Sequence, residues 1–132
     1  MPKKILVVDD DESITEVIQI TLEGEGYQVE TSLDGCGIPG FPRGVPDLIL
    51  LDVLLLGKDG REICKQLKQN ASTAAIPVIM LSAHSDADKL AGIGSADDFL
   101  EKPFDVDVLI DTVAKHLRNS ETRRADYEGT IG

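Results

Sequence analysis

The chain has 132 residues, 42% of them hydrophobic, which suits one domain with a buried core and leaves little for a second. Its 13 basic and 24 acidic side chains give a formal net charge of -11, which argues against broad contact with nucleic acid or anionic lipid and suits a divalent cation or a basic partner. Cys36 and Cys64 lie far apart, so neither a disulfide framework nor a zinc site is indicated. Since no membrane-spanning run and no signal peptide are visible, we expect a cytoplasmic protein.

An apolar strand and an acidic run open the chain. The segment Lys4–Val8 is apolar and β-branched, which predicts a strand, and it ends in the carboxylates Asp9–Glu12. A helix should follow, because Ser13 and Glu16 fit a capping box and apolar residues recur at helical spacing up to Leu22. The helix macrodipole favours carboxylates near its N-terminus, so it accounts for the last two acids of the run better than for the first two.

A segment rich in glycine and proline follows the second predicted strand, Tyr27–Ser32. Residues 34–46 contain four Gly and three Pro. We expect an irregular loop there, with at most one helical turn, although a crossover between parallel strands is usually helical. Residues 35–40 match the dinucleotide fingerprint G-x-G-x-x-G, but that fingerprint must follow the first strand and open a helix. The surrounding prolines prevent a helix, which favours a loop over a nucleotide site.

The centre of the predicted fold is the strand Leu48–Asp52, in which four consecutive apolar residues end in a carboxylate. Such a run is typical of a strand that is buried on both faces of a parallel sheet. Functional groups in these sheets lie just past the carboxyl ends of the strands. Asp52 taken alone would be interpreted as a cap for the next turn. Because other predicted strands also end in polar residues, we favour a shared site.

The remaining elements alternate in the same way, with these predicted bounds: a loop at 53–59, a helix at 60–70, a strand at 78–81, a short helix at 86–93, a strand at 98–100 and a final helix at 105–118. The polar residues 119–132 lack an apolar stripe and are predicted to form a loose tail or a linker. Five strands with mostly helical connections predict the α/β class, as a doubly wound parallel sheet.

Polar residues follow four of the predicted strands: Asp9 and Asp10, Asp52, Ser82, and Lys102. In a parallel sheet these strand ends lie at one edge, so the side chains should meet. Three carboxylates in one crevice repel each other unless a cation is present, and hard oxygen ligands suit magnesium. A hydroxyl and an ammonium opposite them would complete a site for a phosphoryl group.

These motifs resemble the receiver domain of bacterial two-component response regulators. The resemblance covers about Lys3 to Leu117 and rests on five segments: Val7–Asp11, Leu50–Asp52, Lys58–Gly60, Leu81–Ala83 and Ala96–Phe104. It implies a flavodoxin-like sheet with five parallel strands in the order 2-1-3-4-5. This chain departs from that pattern at the second helix, which its Gly/Pro-rich segment disrupts. The receiver domain would then span residues 1–118, and residues 119–132 would be a polar tail or linker.

The resemblance also implies a role for each residue at the acidic edge. Asp52 would be the phosphoacceptor, and Lys102 and Ser82 would contact the phosphoryl group. The carboxylates of Asp10 and Asp52 and the backbone carbonyl of Leu54 would hold Mg2+ directly. Asp9 would contact the ion through a water molecule.

A signalling switch is the function that the resemblance implies. A histidine kinase or phosphotransfer protein would be the phosphoryl donor for the chain. The chain would not be an enzyme, because it would catalyse only its own phosphorylation and dephosphorylation. Ser82 would move toward the phosphoryl group and let Phe99 turn inward, which would change the face that binds an unidentified downstream protein. The Lys102–Pro103 bond would be cis. We expect a monomer or weak dimer, free-standing or part of a longer regulator, that contacts neither nucleic acid nor membrane.

Departures from the family pattern concern surfaces rather than the acidic edge. Leu56 stands where the family usually has proline, in an apolar loop that either docks a kinase or packs. The segment between Ser82 and Lys102 is a couple of residues short, which predicts a short or mobile fourth helix. His84 and His116 are expected to be a loop residue and a solvated helix residue rather than metal ligands.

An alternative function is a divergent receiver that uses the same surface as a constitutive interaction module, without phosphorylation. The intact set of Asp9, Asp10, Asp52, Ser82 and Lys102 argues against this alternative. An interaction module that is not phosphorylated has no physical reason to keep three crowded carboxylates.

Overall fold

The fold consists of a five-stranded sheet, a two-stranded ribbon and three helices in the part of the chain that the computed structural model describes, residues 3–33, 45–55, 58–83, 96–102 and 104–131. The elements, in chain order, are β1 (Lys4–Val8), α1 (Glu12–Gly24), β2 (Gln28–Ser32), β3 (Leu48–Asp52), β4 (Leu54–Leu55), β5 (Lys58–Asp59), α2 (Gly60–Gln69), β6 (Val78–Ala83), β7 (Asp98–Lys102) and α3 (Val106–Ile131). The predicted helix at 86–93 and nearly all of the predicted loop at 34–46 lie outside the described residues.

The five longer strands form one parallel sheet in the order β2-β1-β3-β6-β7. Numbered among themselves, these strands have the order 2-1-3-4-5, which confirms the predicted topology. β3 lies at the centre, between β1 and β6, with Asp52 opposite Leu81. Because all the strands are parallel, their carboxyl ends meet at one edge of the sheet.

Helices cover both faces of the sheet, and the side chains of each central strand alternate between those two faces. Leu48 and Leu50 pack on one face against α1 and α3, and Ile49 and Leu51 pack on the other face against α2. All four side chains are fully buried. Burial of one such side chain contributes roughly 1.5–3 kcal/mol. The continuous apolar run therefore makes β3 a central strand, as predicted.

The N-terminus of α1 differs from the predicted capping box. Asp11 is the N-cap, and its Oδ1 accepts hydrogen bonds from the backbone N–H groups of Ser13 (2.9 Å) and Ile14 (3.3 Å). The helix therefore begins at Glu12, one residue before Ser13. Asp11 and Glu12 serve the helix end, as the macrodipole argument predicts.

Two further segments differ from their predicted structure. Residues 53–59, predicted as a loop, contain β4 and β5, which pair antiparallel with Leu54 opposite Asp59. The helix predicted to end near Arg118 continues to Ile131. Residues 119–128 carry no apolar stripe, but they contain no proline or glycine and include good helix formers such as Glu, Arg and Ala, so local propensity extends α3. The division into a domain at 1–118 and a tail or linker stays a prediction.

His116 is buried rather than solvated, contrary to the prediction. Its side chain is 8% exposed, and its Nε2 lies 2.9 Å from Oδ2 of Asp98, which joins α3 to the start of the edge strand β7. Partial burial raises the pKa of the Asp98 carboxyl, but the hydrogen bonds from His116 and from the Phe99 amide, with the nearby Lys115 charge, outweigh burial. The pKa of Asp98 therefore lies below its ordinary value. His84 lies outside the described residues.

We expect Asp98 to stabilise the fold at neutral pH and to lose this effect in acid. A carboxyl whose pKa is lower in the folded state stabilises the protein above its unfolded pKa of about 4, and the effect disappears as the pH falls through the lower folded value. Asp98→Asn should lower the free energy of unfolding at pH 7 by about 1 kcal/mol, discounted because the Asp98 side chain is 33% exposed.

Urea unfolding of both proteins from pH 7 to about pH 3 measures this difference. The gap between the wild type and Asp98→Asn should close below about pH 4. A gap that stays constant over the whole range would contradict the assignment.

Candidate functional site

Three carboxylates meet at the carboxyl edge of the sheet. Asp9 and Asp10 follow β1, Asp52 ends β3, and one oxygen from each lies within 4.8 Å of the others. Asp9 and Asp52 are buried, and Asp10 is half-buried. The sequence therefore predicted correctly that these residues come together, because parallel neighbouring strands bring their ends to one place.

Lys102, at the end of β7, lies against two of these carboxylates. Its Nζ donates a hydrogen bond to Oδ2 of Asp9 at 2.7 Å and lies 3.6 Å from Oδ1 of Asp52. Burial lowers the pKa of Lys102, but the hydrogen bond to Asp9 and the charges of Asp52 and Asp9 outweigh it, so the pKa of Lys102 lies above its ordinary value. The side chain is therefore a stable ammonium beside the predicted phosphoacceptor.

Asp9 is held from two sides. Its Oδ1 accepts a hydrogen bond from the backbone N–H of Asp11 at 2.9 Å, while its Oδ2 accepts the bond from Lys102. The Asp9 side chain is completely buried. A buried carboxylate needs such partners, because an unpaired charge in the interior is strongly destabilising. Asp9 thus has a fixed orientation at the base of the site.

The charges and donor atoms of the site fit a divalent cation. Asp9, Asp10 and Asp52 with Lys102 leave a formal excess of two negative charges. The side-chain donors in this group are carboxylate oxygens, which suit a hard cation such as Mg2+ better than a soft transition metal. Leu54, whose carbonyl is the predicted fourth contact, begins β4 two residues after Asp52.

Ser82 lies in β6, one residue beyond Leu81, the register partner of Asp52. It is fully buried, and its Oγ has no hydrogen-bond partner within the described part of the chain. A buried hydroxyl without a partner costs roughly 1–3 kcal/mol. This hydroxyl is therefore available to a group that arrives at the carboxyl edge.

The other predicted residues lie farther from the carboxylates or outside the described residues. Phe99, in β7, is 51% exposed and therefore points outward in this conformation. Pro103 and Leu56 lie outside the described residues. Val53, the first residue of the apolar loop, is fully buried in the core cluster that contains Cys64, so this position packs.

An open cleft lies beside Lys102, between α1 and the segment that follows β7. Its volume is about 410 Å³, and it is lined by Ser13, Ile14, Val17, Lys102 and Phe104. Val17 is 50% exposed. Ile18 and Leu22 of α1 thus lie in the core, whereas Ile14 and Val17 line this cleft.

The sequence did not predict which side chain of the protein Lys102 contacts. It indicated only that an ammonium would lie near the carboxylates, whereas in the structure Lys102 bonds to Asp9, 93 residues away in the chain. β1 and β7 are separated in the sheet by β3 and β6, so no rule of strand pairing joins the two residues. The one available signal was the position of both residues at strand ends.

No helix in the described part of the chain is long and apolar enough to cross a membrane. The cytoplasmic location stays a prediction.

Comparison with known proteins gives curated relatives at substantial identity. The DNA-binding dual master transcriptional regulator RpaA of Synechocystis is 43% identical over 126 residues, which are 92% of this chain and 51% of that protein. The response regulator ArlR of Staphylococcus saprophyticus is 39% identical over 134 residues, covering 97% of this chain and 59% of that protein. The chain thus spans between half and three-fifths of the length of these relatives.

Solved structures agree with the fold. The receiver domain of NtrX from Brucella abortus is 32% identical, with a TM-score of 0.78 over 86% of this chain and 98% of that one. The signal receiver domain of a signal transduction histidine kinase from Syntrophus aciditrophicus is 34% identical, with a TM-score of 0.81 over 89% of this chain and 91% of that one.

The family model for the response regulator receiver domain matches residues 5–114, which include β1 from Ile5 onward, β7 and all the residues of the acidic edge. With the parallel sheet in the order 2-1-3-4-5 and the relatives above, this match identifies the chain as a member of the response regulator receiver domain family.

Proposed function

We propose that the chain is a phosphorylation-controlled switch in which Asp52 accepts the phosphoryl group. The observation that carries this proposal is the position of Asp52, which is buried at the centre of the sheet edge, within 4.8 Å of two other carboxylates and 3.6 Å from an ammonium. Phosphoryl transfer needs little covalent help from a protein, so positioning and neutralisation of charge are the main requirements. The surroundings of Asp52 meet both requirements.

The residues that would hold Mg2+ are Asp10 and Asp52 directly, the backbone carbonyl of Leu54, and Asp9 through a water. When bound, Mg2+ would neutralise the charge that develops on the phosphoryl oxygens. Asp9 is less available for direct contact, because both of its oxygens already accept hydrogen bonds from Lys102 and from the Asp11 amide. Asp10 is half-buried and therefore reachable by an ion from solvent.

In the transfer step, a carboxylate oxygen of Asp52 attacks the phosphorus of a phosphohistidine on a histidine kinase or phosphotransfer protein. The P–N bond breaks, its electron pair returns to the imidazole nitrogen, and an aspartyl phosphate forms. Lys102 would contact the phosphoryl oxygens while keeping its bond to Asp9. The cleft formed by Ile14, Val17 and Phe104 reaches Lys102, so the donor protein would approach across it.

The response to phosphorylation would begin at Ser82. Its buried Oγ lacks a partner among the described residues, and a phosphoryl oxygen on Asp52 would supply an acceptor. A shift of Ser82 along β6 would displace β7, because Ser82 pairs with Glu101 and Met80 pairs with Phe99 in the register of these two strands. Phe99 would then turn from solvent toward the core, which would alter the face seen by a downstream protein.

The downstream partner of this chain would be a protein. A net charge of -11 disfavours phosphate contacts by these 132 residues themselves. The name of RpaA describes that protein as DNA-binding, and this chain matches about half of it. That the chain itself binds no nucleic acid stays a prediction.

Intact mass spectrometry tests the phosphoacceptor. After incubation with Mg2+ and acetyl phosphate, the wild type should gain about 80 Da, one phosphoryl group, and Asp52→Asn should gain nothing. Removal of Mg2+ with a chelator should abolish the adduct. If neither acetyl phosphate nor a histidine kinase gives an adduct on the wild type, the chain acts as a constitutive interaction module.

Ser82→Ala should separate the resting state from the phosphorylated state. Removal of a buried hydroxyl without a partner should leave the free energy of unfolding unchanged or raise it by about 1 kcal/mol. Phosphorylation should then produce smaller NMR shift changes at the Phe99 amide than it does in the wild type. Destabilisation of the unphosphorylated variant by more than about 1 kcal/mol would contradict this role, because it would mean that the hydroxyl is already bonded.

Asp10→Asn should raise the melting temperature when Mg2+ is absent, because it relieves repulsion among the three carboxylates. Relief of about 1 kcal/mol corresponds to roughly 4 °C in a domain of this size. Addition of Mg2+ should stabilise the wild type more than the variant and so narrow or reverse the difference. A lower melting temperature without Mg2+ would mean that the Asp10 carboxylate makes stabilising hydrogen bonds.

A further inference from the structure

Gly60 lies directly against the backbone of the phosphoacceptor. A Cβ added at this position would be 1.9 Å from the backbone oxygen of Asp52 and 3.0 Å from both the Asp52 carbonyl carbon and the Val53 oxygen. All three are backbone atoms, so no side-chain rotation can relieve the overlap. Gly60 is therefore a position where the absence of a Cβ permits close contact between two segments.

The segment that Gly60 contacts has little freedom to move. The backbone N–H of Val53 donates to the Leu81 carbonyl of β6 at 2.9 Å, and the Val53 side chain is fully buried. From the other side, the N–H of Gly60 donates to the Val53 carbonyl at 2.7 Å. Asp52 and Val53 thus lie between β6 and the first residue of α2.

The hydrogen bond between Gly60 and Val53 lies at the open end of the ribbon formed by β4 and β5. Leu54 follows Val53 and pairs with Asp59, the residue before Gly60. Asp59 in turn caps α2 through its Oδ1, which accepts a hydrogen bond from the Arg61 amide at 2.9 Å. The Val53–Gly60 hydrogen bond therefore fixes both ends of the ribbon that carries the Leu54 carbonyl.

We propose that Gly60 is a positioning residue for the phosphoacceptor site: by letting α2 begin in direct contact with the Asp52 carbonyl, it sets the position of the Asp52 backbone and of the Leu54 carbonyl. This inference rests on the proposed function of Asp52. With any larger residue, the distance from its Cβ to the Asp52 oxygen must grow by at least 1.1 Å, from 1.9 Å to 3.0 Å, so one of the two backbone segments must shift or rotate. Misplacement of a reacting group by about 1 Å slows a reaction by up to roughly 100-fold.

The chain offers two matched controls for Gly60→Ala. Gly24, at the end of α1, has nothing within 4 Å of an added Cβ, so Gly24→Ala should be nearly neutral. Gly26 has a φ of 94°, so Gly26→Ala is strained but meets no neighbouring atom. Gly26→Ala therefore destabilises the fold at a remote position, which separates general destabilisation from an effect on the site.

The test measures phosphorylation rates with acetyl phosphate at several Mg2+ concentrations, by intact mass, and stability by urea unfolding with and without Mg2+. Gly60→Ala should be phosphorylated roughly 10- to 100-fold more slowly at saturating donor. It should also need roughly tenfold more Mg2+ for half-maximal stabilisation against urea. Gly24→Ala and Gly26→Ala should react at the wild-type rate, although Gly26→Ala is less stable.

The inference is overturned if Gly60→Ala reacts at the wild-type rate, or if Gly26→Ala is slowed by the same factor. If Gly60→Ala does not fold in buffer, the measurements are repeated in sucrose, which favours the compact state; failure to fold there would make Gly60 a requirement of the fold and overturn its positioning role. If the wild type itself gains no phosphoryl group, the proposed function fails, and the Mg2+-dependent stabilisation alone decides the role of Gly60.

Discussion

The contact between Lys102 and Asp9 is the interaction on which the site depends. Asp9 is completely buried, and a buried carboxylate without a partner would destabilise the fold by several kcal/mol. The ammonium of Lys102, 2.7 Å away, supplies that partner and also lies 3.6 Å from Asp52. This ammonium thus offsets part of the repulsion among three carboxylates that lie within 4.8 Å of each other, and it leaves an excess of negative charge that a divalent cation would neutralise.

The sheet makes this arrangement possible. Its central strand, β3, is covered on both faces, so Asp52 is carried on a rigid element and emerges from the core only at its carboxyl end. The strands on either side bring Asp9, Ser82 and, one strand farther, Lys102 to the same edge. A site built on strand ends is held more precisely than one built on loops, which suits a reaction whose catalysis is mostly positioning.

Two features connect the site to the surface of the protein. β7 carries both Lys102 and the exposed Phe99, and His116 of α3 is joined to Asp98 at the start of the same strand. A displacement of β7 would therefore be transmitted to α3. On the other side of the site, α2 begins at Gly60 in contact with the backbone of Asp52, the proposed phosphoacceptor.

The sequence by itself determined the five strands of the main sheet, their parallel arrangement and the residues of the acidic edge, but not the β4–β5 ribbon. Apolar runs such as Leu48–Leu51 carry their structural information locally, and the rule that parallel strands end at one edge converts their neighbours Asp9, Asp52, Ser82 and Lys102 into one site. The polar residue at the end of each apolar run could also be identified from the sequence, because this feature depends only on residues that are adjacent in the chain.

Only the tertiary structure decided the individual contacts. His116 is buried against Asp98, Lys102 bonds to Asp9, and Gly60 lies against the Asp52 carbonyl. Residue type indicated what each group can do, but the choice among several chemically suitable partners depends on distances between atoms that are remote in sequence. Those distances are set by how the helices pack on the sheet, and no local pattern encodes them.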